Sequence, residues 1–280
     1  MKITQKIKNI IHTLILMNKE QMIKPVVVPT DKDKLLEHKV ALITGGSSGI
    51  GFEIAKAFQN SGAEVIIAGT NLNKIEAALS EIGGTAKGLV IDIKDIKNLP
   101  EKVKSAAALF PENRIDILVN SAGVAAKHEF WDISEEEYDL IMNTNAKGTF
   151  FMSKAVGQYM IEHKLKGHIL NISSSSALRP AWTPYQMSKW ELKGLTMGLA
   201  DLLLPYGIVV NAIAPGPTAT PMLGKTSGDN IYERNNPSGR YTLPQEIASL
   251  AVYMVSGAGE MIVGDTIYMT GGSGTISLHR

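Results

Sequence analysis

Val40-Ala41-Leu42-Ile43-Thr44-Gly45-Gly46-Ser47-Ser48-Gly49-Ile50-Gly51 reads as a strand that turns directly into a helix. Four consecutive apolar residues, Val40 to Ile43, suit a parallel strand buried on both faces. Beyond the turn, Ile50, Ile54, Ala55, Ala57 and Phe58 recur at helical spacing and give one apolar face. Gly45, Gly49 and Gly51 fall between the two, where backbone amides and a helix N-terminus would face an incoming pyrophosphate. A glycine-rich turn by itself is weak evidence, because surface loops also collect glycine; its place between the first strand and the first helix strengthens it.

The same alternation continues along the chain. Further strands are expected over 64–69, 88–92, 115–120, 167–172, 207–213 and 266–269, and helices over 73–82 (stopped by Gly83-Gly84), 134–163 and 184–204. Strands alternating with helices imply right-handed crossovers. The expected fold is a Rossmann-type α/β domain over 38–280, a doubly wound seven-stranded parallel sheet with helices on both faces. The two long helices are apolar on more than one side, with Ile141, Phe150, Phe151 and Val156 on the first and Trp190, Leu192, Leu195, Met197 and Leu199 on the second. Such helices are buried on more than one side, which suits a homo-oligomer.

A chain of 280 residues with 44% hydrophobic content can bury the core of one large domain. Its net charge of +1 and six scattered histidines suggest neither a nucleic-acid footprint nor a metal cluster. The absence of cysteine excludes disulfides, a thiolate nucleophile and a cysteine-ligated zinc, and a cytoplasmic location fits. Residues 1–37 differ from the rest and are read as a basic amphipathic arm and linker. Over 1–24, Lys2, Lys6, Lys8, Lys19 and Lys24 stand against Glu20 alone, beside a stripe of Ile3, Ile7, Ile10, Ile11 and Leu14. The run 10–17 is far short of the ~20 apolar residues of a membrane-spanning helix. No small-residue cleavage site follows it, so a secretory signal is not expected. The arm could lie on an anionic membrane surface, pack against a sister subunit or stay poorly ordered.

Tyr185 and Lys189 are four residues apart and share a helix face, with Ser174 eleven residues before the tyrosine. An ammonium close to the phenol would favour its ionised form, bringing a group that titrates near ~10 toward neutral pH. The segments Thr44-Gly45-x-x-x-Gly49-x-Gly51, Asn120-Ser121-Ala122-Gly123, Asn145, Ser174, Tyr185-x-x-x-Lys189 and Pro215-Gly216 occur in that order. Over about 38–273 they resemble the short-chain dehydrogenase/reductase family, and within it the simple single-domain members. The resemblance implies an NAD(P)-dependent oxidoreductase that moves a hydride between the cofactor and a ketone or secondary alcohol of a small-molecule substrate. It implies Tyr185 as proton donor and acceptor, Ser174 as hydrogen-bond partner of the substrate oxygen, and Lys189 as the group that lowers the tyrosine pKa and binds the nicotinamide ribose. Asn145 matches the residue that kinks a helix and holds a water leading from the lysine to solvent. Relatives form homodimers or homotetramers. Ser121 stands where the family has a second asparagine, and the interval of eleven residues leaves Ser173 and Ser175 as alternatives to Ser174.

Carried over in the same way, Gly45, Ser47, Ser48, Gly49, Ile50 and Gly51 would meet the pyrophosphate, and Asp92 and Ile93 would flank the adenine. Thr70 and Asn71 end the second strand, where the cofactor's ribose is read. Asn120, Ala122 and Gly123, then Tyr185 and Lys189, then Pro215, Gly216, Thr218 and Thr220 complete the cofactor set. At Gly69-Thr70-Asn71 there is no acid to bind a ribose 2′-hydroxyl, and Thr70, Asn71 and Lys74 could hold a phosphate, so the reading leans from NAD toward NADP. No metal is expected. Substrate contacts are expected from 177–184 and from 218–240, the latter with Pro221, Gly224, Gly228, Pro237 and Gly239 of a lid. A non-catalytic dinucleotide-binding protein, regulatory or structural, would have no need of the full set Asn145, Ser174, Tyr185 and Lys189. A nucleotide-sugar-modifying relative would carry a different glycine spacing and a sizeable C-terminal substrate domain.

Overall fold

The structure, a computed structural model, describes residues 34–225 and 229–277. Seven strands, β1 (Val40–Thr44), β2 (Glu64–Gly69), β3 (Lys87–Val90), β4 (Ile117–Asn120), β5 (Gly167–Ile172), β6 (Ile208–Pro215) and β7 (Thr266–Met269), form one parallel sheet in the order β3-β2-β1-β4-β5-β6-β7. The helices are α1 (Gly49–Asn60), α2 (Leu72–Ile82), α3 (Leu99–Ala107), α4 (Glu135–Ile141), α5 (Thr149–Glu162), α6 (Pro184–Leu203) and α7 (Pro244–Met254). This is the expected doubly wound Rossmann-type domain.

Alternation along each strand divides the core in two, because successive side chains point to opposite faces. Val40 and Leu42 of β1 pack with Val103 of α3, Val156 of α5 and Leu199 of α6. Ala41 and Ile43 pack on the other face with Phe58 of α1, Ile75 of α2 and Ile247 of α7. Both faces are covered, which is why the strands read as continuous apolar runs. The chain builds outward from β1 to β3 and then returns to add β4 on the other side of β1. That reversal opens a crevice between the β1 and β4 loops at the carboxyl ends of the strands.

Register places Thr44 beside Asn120 and Asn120 beside Asn171. Asn120 Nδ2 donates to Asn171 Oδ1 and Ser153 Oγ, both at 2.9 Å, and Asn171 Nδ2 donates to Thr196 Oγ1 at 3.0 Å. This buried polar row ties the middle of the sheet to α5 and α6, and each member finds its partner as burial requires.

Several boundaries differ from the sequence expectation. β3 spans Lys87–Val90, ahead of the expected 88–92, and β6 runs on to Pro215. The stretch expected as one helix over 134–163 contains a π-helical turn, Met142–Gly148, between α4 and α5. α3 and α7 were not marked by the sequence reading, although both open with proline in the first turn. Leu36, inside the stretch read as linker, is fully buried in the core, and its amide donates to Ser61 O at 2.9 Å. The arm over 1–24 lies outside the described residues. Among the described residues no helix is long and apolar enough to cross a membrane.

Candidate active site

The turn from β1 into α1 lies backbone against backbone on the β4 loop. Gly45 has φ +67, and a Cβ there would lie 2.8 Å from the Ala122 backbone; a Cβ on Gly51 would lie 2.6 Å from Gly45 O. No larger residue fits at either position. Ser48, the N-cap of α1, makes no side-chain capping bond, and the first turn holds no acid. Its orphan amides therefore face the cleft lined by Gly45, Ser48, Gly49, Ala122 and Gly123. This arrangement fits a dinucleotide diphosphate, whose charge would be met by amides and by the helix dipole.

The reactive side chains come from three further elements. α6 is started by a capping box, Thr183 Oγ1 accepting from Gln186 N at 3.3 Å and Gln186 Oε1 accepting from Thr183 N at 3.0 Å, with Pro184 as first residue. That start aims Tyr185 and Lys189 into the cleft. Lys189 Nζ donates to Ile172 O, at the end of β5, at 2.9 Å and lies 5.6 Å from the centroid of the Tyr185 ring. All three candidate serines line the cleft with Tyr185, and Ser174 is the one whose hydroxyl pulls the phenol's pKa down. Ser173 is buried and donates to Lys189 O at 3.2 Å, and Ser175 is buried.

Asn145 sits in the π-helical turn. Its Oδ1 accepts from Val124 N at 2.8 Å, while Nδ2 donates to Val124 O at 2.9 Å and to Ser188 Oγ at 3.3 Å. One amide thus joins the β4 loop to α6. A Cβ on Gly123 would stand 3.3 Å from Asn145 Oδ1 and 4.0 Å from Lys189 Nζ, so the three groups converge on one point.

The electrostatics correct the simplest reading of the tyrosine and lysine pair. Burial is the larger influence on Tyr185 and raises its phenol above the ordinary value, opposed by the hydrogen bond from Ser174. Burial also brings Lys189 down to about 8. The lysine is held over the ring and on a carbonyl, and its charge is not what dominates the phenol.

Other expected site residues are placed as follows. Asn71 is occupied as the N-cap of α2, its Oδ1 accepting from Lys74 N at 3.0 Å, while Thr70 is exposed at the end of β2. Asp92 accepts from Lys94 N at 2.9 Å, closing the turn after β3, and Ile93 is buried against Gly148. Asn120 lies beneath the cleft in the buried polar row. Ser47 stands across from Gly69. Ile50, Pro215, Gly216, Thr218 and Thr220 line the cleft beside Tyr185, with Thr218 Oγ1 donating to Gly216 O at 2.9 Å.

The 218–240 stretch forms a 3-10 turn at Pro221–Leu223. Its far end is anchored where Arg240 meets Glu246 through two bonds of 2.8 and 2.7 Å, which hold that carboxyl down to about 2. Arg179, within the 177–184 stretch expected to meet substrate, lines the cleft and is joined by a 2.7 Å hydrogen bond to Ser273, a cleft residue that the sequence did not mark. The glycine-rich run Gly271-Gly272-Ser273-Gly274 directly after β7 was the signal available for a turn at this site.

A lysine depressed to about 8 has a definite linkage sign. The unfolded chain keeps this proton up to its ordinary 10.5, so the native state holds fewer protons between the two values. The buried ammonium therefore destabilises the fold at neutral pH, and that cost is relieved as pH rises from about 8 toward 10.5. The melting temperature of Lys189→Met minus that of wild type should accordingly fall between about pH 7 and about pH 10. A difference that stays flat or rises over this range would show that Lys189 titrates normally.

Comparison with known proteins places these features. The profile of the family described as short chain dehydrogenase matches residues 39–230. D-threitol dehydrogenase of Mycolicibacterium smegmatis is 36% identical over 251 residues, 86% of this chain and 95% of that protein. The crystal structure of 3-ketoacyl-(acyl-carrier-protein) reductase from Brucella melitensis complexed with NADH has TM-score 0.79 and 32% identity, covering 86% of this chain and all of that one. Actinorhodin polyketide ketoreductase with NADPH has TM-score 0.77 and 28% identity, covering 85% of this chain and 98% of that one. The diphosphate cradle, the Tyr185 and Lys189 helix and the seven-strand order thus occur together in a chain that belongs to the short chain dehydrogenase family.

Proposed function

We propose that this NAD(P)-dependent oxidoreductase works on a small ketone or secondary alcohol through Tyr185, Ser174, Lys189 and Asn145. The single observation that carries the assignment is their convergence on one cleft, Ser174 and Tyr185 lining its substrate end, Lys189 beside the ring and Asn145 against Gly123. When bound, the nicotinamide supplies or takes up the hydride. Tyr185 gives a proton to the substrate oxygen in reduction and takes it back in oxidation. Ser174 donates to the same oxygen as charge develops on it. Lys189 anchors beneath them, where it can reach the cofactor's ribose, and Asn145 is a positioning residue holding the β4 loop against α6. Retention of this whole set argues against a non-catalytic dinucleotide binder. The relatives named for D-threitol and for 3-ketoacyl carriers support a secondary alcohol or ketone centre as the reacting group.

For the cofactor we favour NADP. Gly69 offers no carboxylate to repel a 2′-phosphate, and Lys74 borders the depression next to Ser47. The oligomer follows the same reading: α5 and α6 leave Phe150, Trp190 and Met197 exposed on their outer sides, an apolar surface that a second copy of the chain would cover.

Tyr185→Phe should abolish turnover while cofactor binding, measured by nucleotide fluorescence, stays nearly intact. Ser174→Ala should lower kcat by roughly 10²-fold, as for loss of one oxyanion donor, with Ser173→Ala having a much smaller effect. The reverse order would move the role to Ser173, and a wild-type rate in Tyr185→Phe would remove the tyrosine from the chemistry.

Gly69→Asp should shift preference toward NAD, with a smaller effect at high salt. The backbone tolerates the side chain, since a Cβ there meets nothing closer than Ser47 Oγ at 3.5 Å. Titration of wild type with both cofactors is the direct check, and a clear wild-type preference for NAD would overturn the NADP assignment.

On a calibrated sizing column the protein should elute at two or four times its 30.2 kDa chain mass, and Met197→Glu should shift it toward the monomer. Elution of wild type as a monomer would sink the oligomer.

A further inference from the structure

The substrate end of the cleft holds one charge that the proposed chemistry leaves unused. Arg179 lines it together with Ser174, Ser176, Tyr185 and Ser273, and is the only charged residue among the described residues there. Among the described residues no carboxylate pairs with it. Its guanidinium is open to solvent yet held in place: Nη2 donates to the buried Ser273 Oγ at 2.7 Å. The backbone is fixed as well, Arg179 N donating to Ser176 O at 3.2 Å and Trp190 Nε1 donating to Arg179 O at 2.8 Å. Trp190 and Tyr185 share α6, so the cation keeps a fixed relation to the phenol. Gly274, at φ +90, is part of the same clamp, since a Cβ there would stand 3.3 Å from Arg179 Nε.

From this we infer that the substrate carries a carboxylate, and that Arg179 selects it by binding that group while Tyr185 addresses the hydroxyl or carbonyl further along the chain. The inference rests on the oxidoreductase reading above and names the substrate class for the same site. A guanidinium presents several donors in a planar fork that matches a carboxylate, and Ser273 engages only one of its nitrogens. One positive charge neutralises one carboxylate, whereas a phosphate dianion would be left under-compensated at this end of the cleft, where among the described residues no second cation stands. The hydroxyls of Ser174 and Ser176 suit the oxygens of a hydroxy acid.

The test uses three compounds of equal carbon number: a polyol, the corresponding aldonic acid, and the polyol's terminal phosphate monoester. Oxidation by the full-length protein is followed by nicotinamide absorbance with each cofactor. Wild type should favour the acid over both others. Arg179→Met should lower the ratio of kcat/KM for acid to that for polyol about tenfold, mainly through KM, and Arg179→Lys should fall between, since it keeps the charge but loses the fork. Calorimetry of the acid binding to cofactor-loaded protein provides an arm that needs no turnover, and Arg179→Met should weaken binding about tenfold. Equal ratios and equal affinities in wild type and Arg179→Met overturn the inference. A preference for the phosphate ester overturns the carboxylate. In either case, continued polyol oxidation that Tyr185→Phe abolishes would leave the oxidoreductase reading standing.

Discussion

The side-chain amide of Asn145 is the contact on which the rest of the site depends. It bonds to both the N–H and the C=O of Val124 and donates to Ser188 on α6. A regular α-helix would not place a buried asparagine here between two other elements; the π-helical turn from Met142 to Gly148 supplies the extra residue that does so. The β4 loop forms one wall of the cleft and α6 carries the tyrosine and lysine, so this amide sets the spacing between that wall and Tyr185. Positioning of this kind is worth more than any single weak contact, because small misplacements of reacting groups are costly in rate.

Burial gives the site its electrical character. Lys189 lies inside the protein on the Ile172 carbonyl, and its proton is held loosely for a lysine. Tyr185 is held protonated by the same surroundings, with Ser174 pulling against them. A phenol that keeps its proton until a hydrogen-bonded oxygen needs it is suited to act as an acid toward a carbonyl. The neighbouring lysine can change charge near physiological pH, as buried lysines do.

The cleft draws its two ends from different parts of the chain. The diphosphate end is built from the turn between β1 and α1 set against the β4 loop, and its glycines are required by that close backbone approach. The substrate end gathers the segment after β5, the start of α6, the loop after β6 and the turn after β7. These connections sit on a sheet whose central strands are covered on both faces, so they can differ without disturbing the core. One scaffold thereby accommodates relatives named for quite different substrates.

Strand and helix alternation, the glycine turn and the spacing of Tyr185 and Lys189 were legible in the sequence because each rests on short-range geometry: a two-residue or four-residue period, or a backbone that only glycine allows. Long buried strands announced themselves as apolar runs. The π-helical turn did not; only the resemblance marked Asn145 as a residue that kinks a helix, since the physical cause lies outside the helix, in the bonds of Asn145 to Val124 and Ser188. The place of Asn120 in a buried row was also hidden, because it depends on which neighbours the sheet register delivers, whereas the cap that Asn71 gives α2 is a local bond from Lys74 N that three-residue spacing encodes. The direction of the Tyr185 shift was misjudged for a related reason: sequence spacing shows that a lysine is near, but not how much water has been removed around the phenol. Arg179 falls in the 177–184 stretch expected to meet substrate, but what holds its guanidinium there became visible only once β7 had brought Ser273 beside it, a juxtaposition of residues 94 apart that no local period encodes.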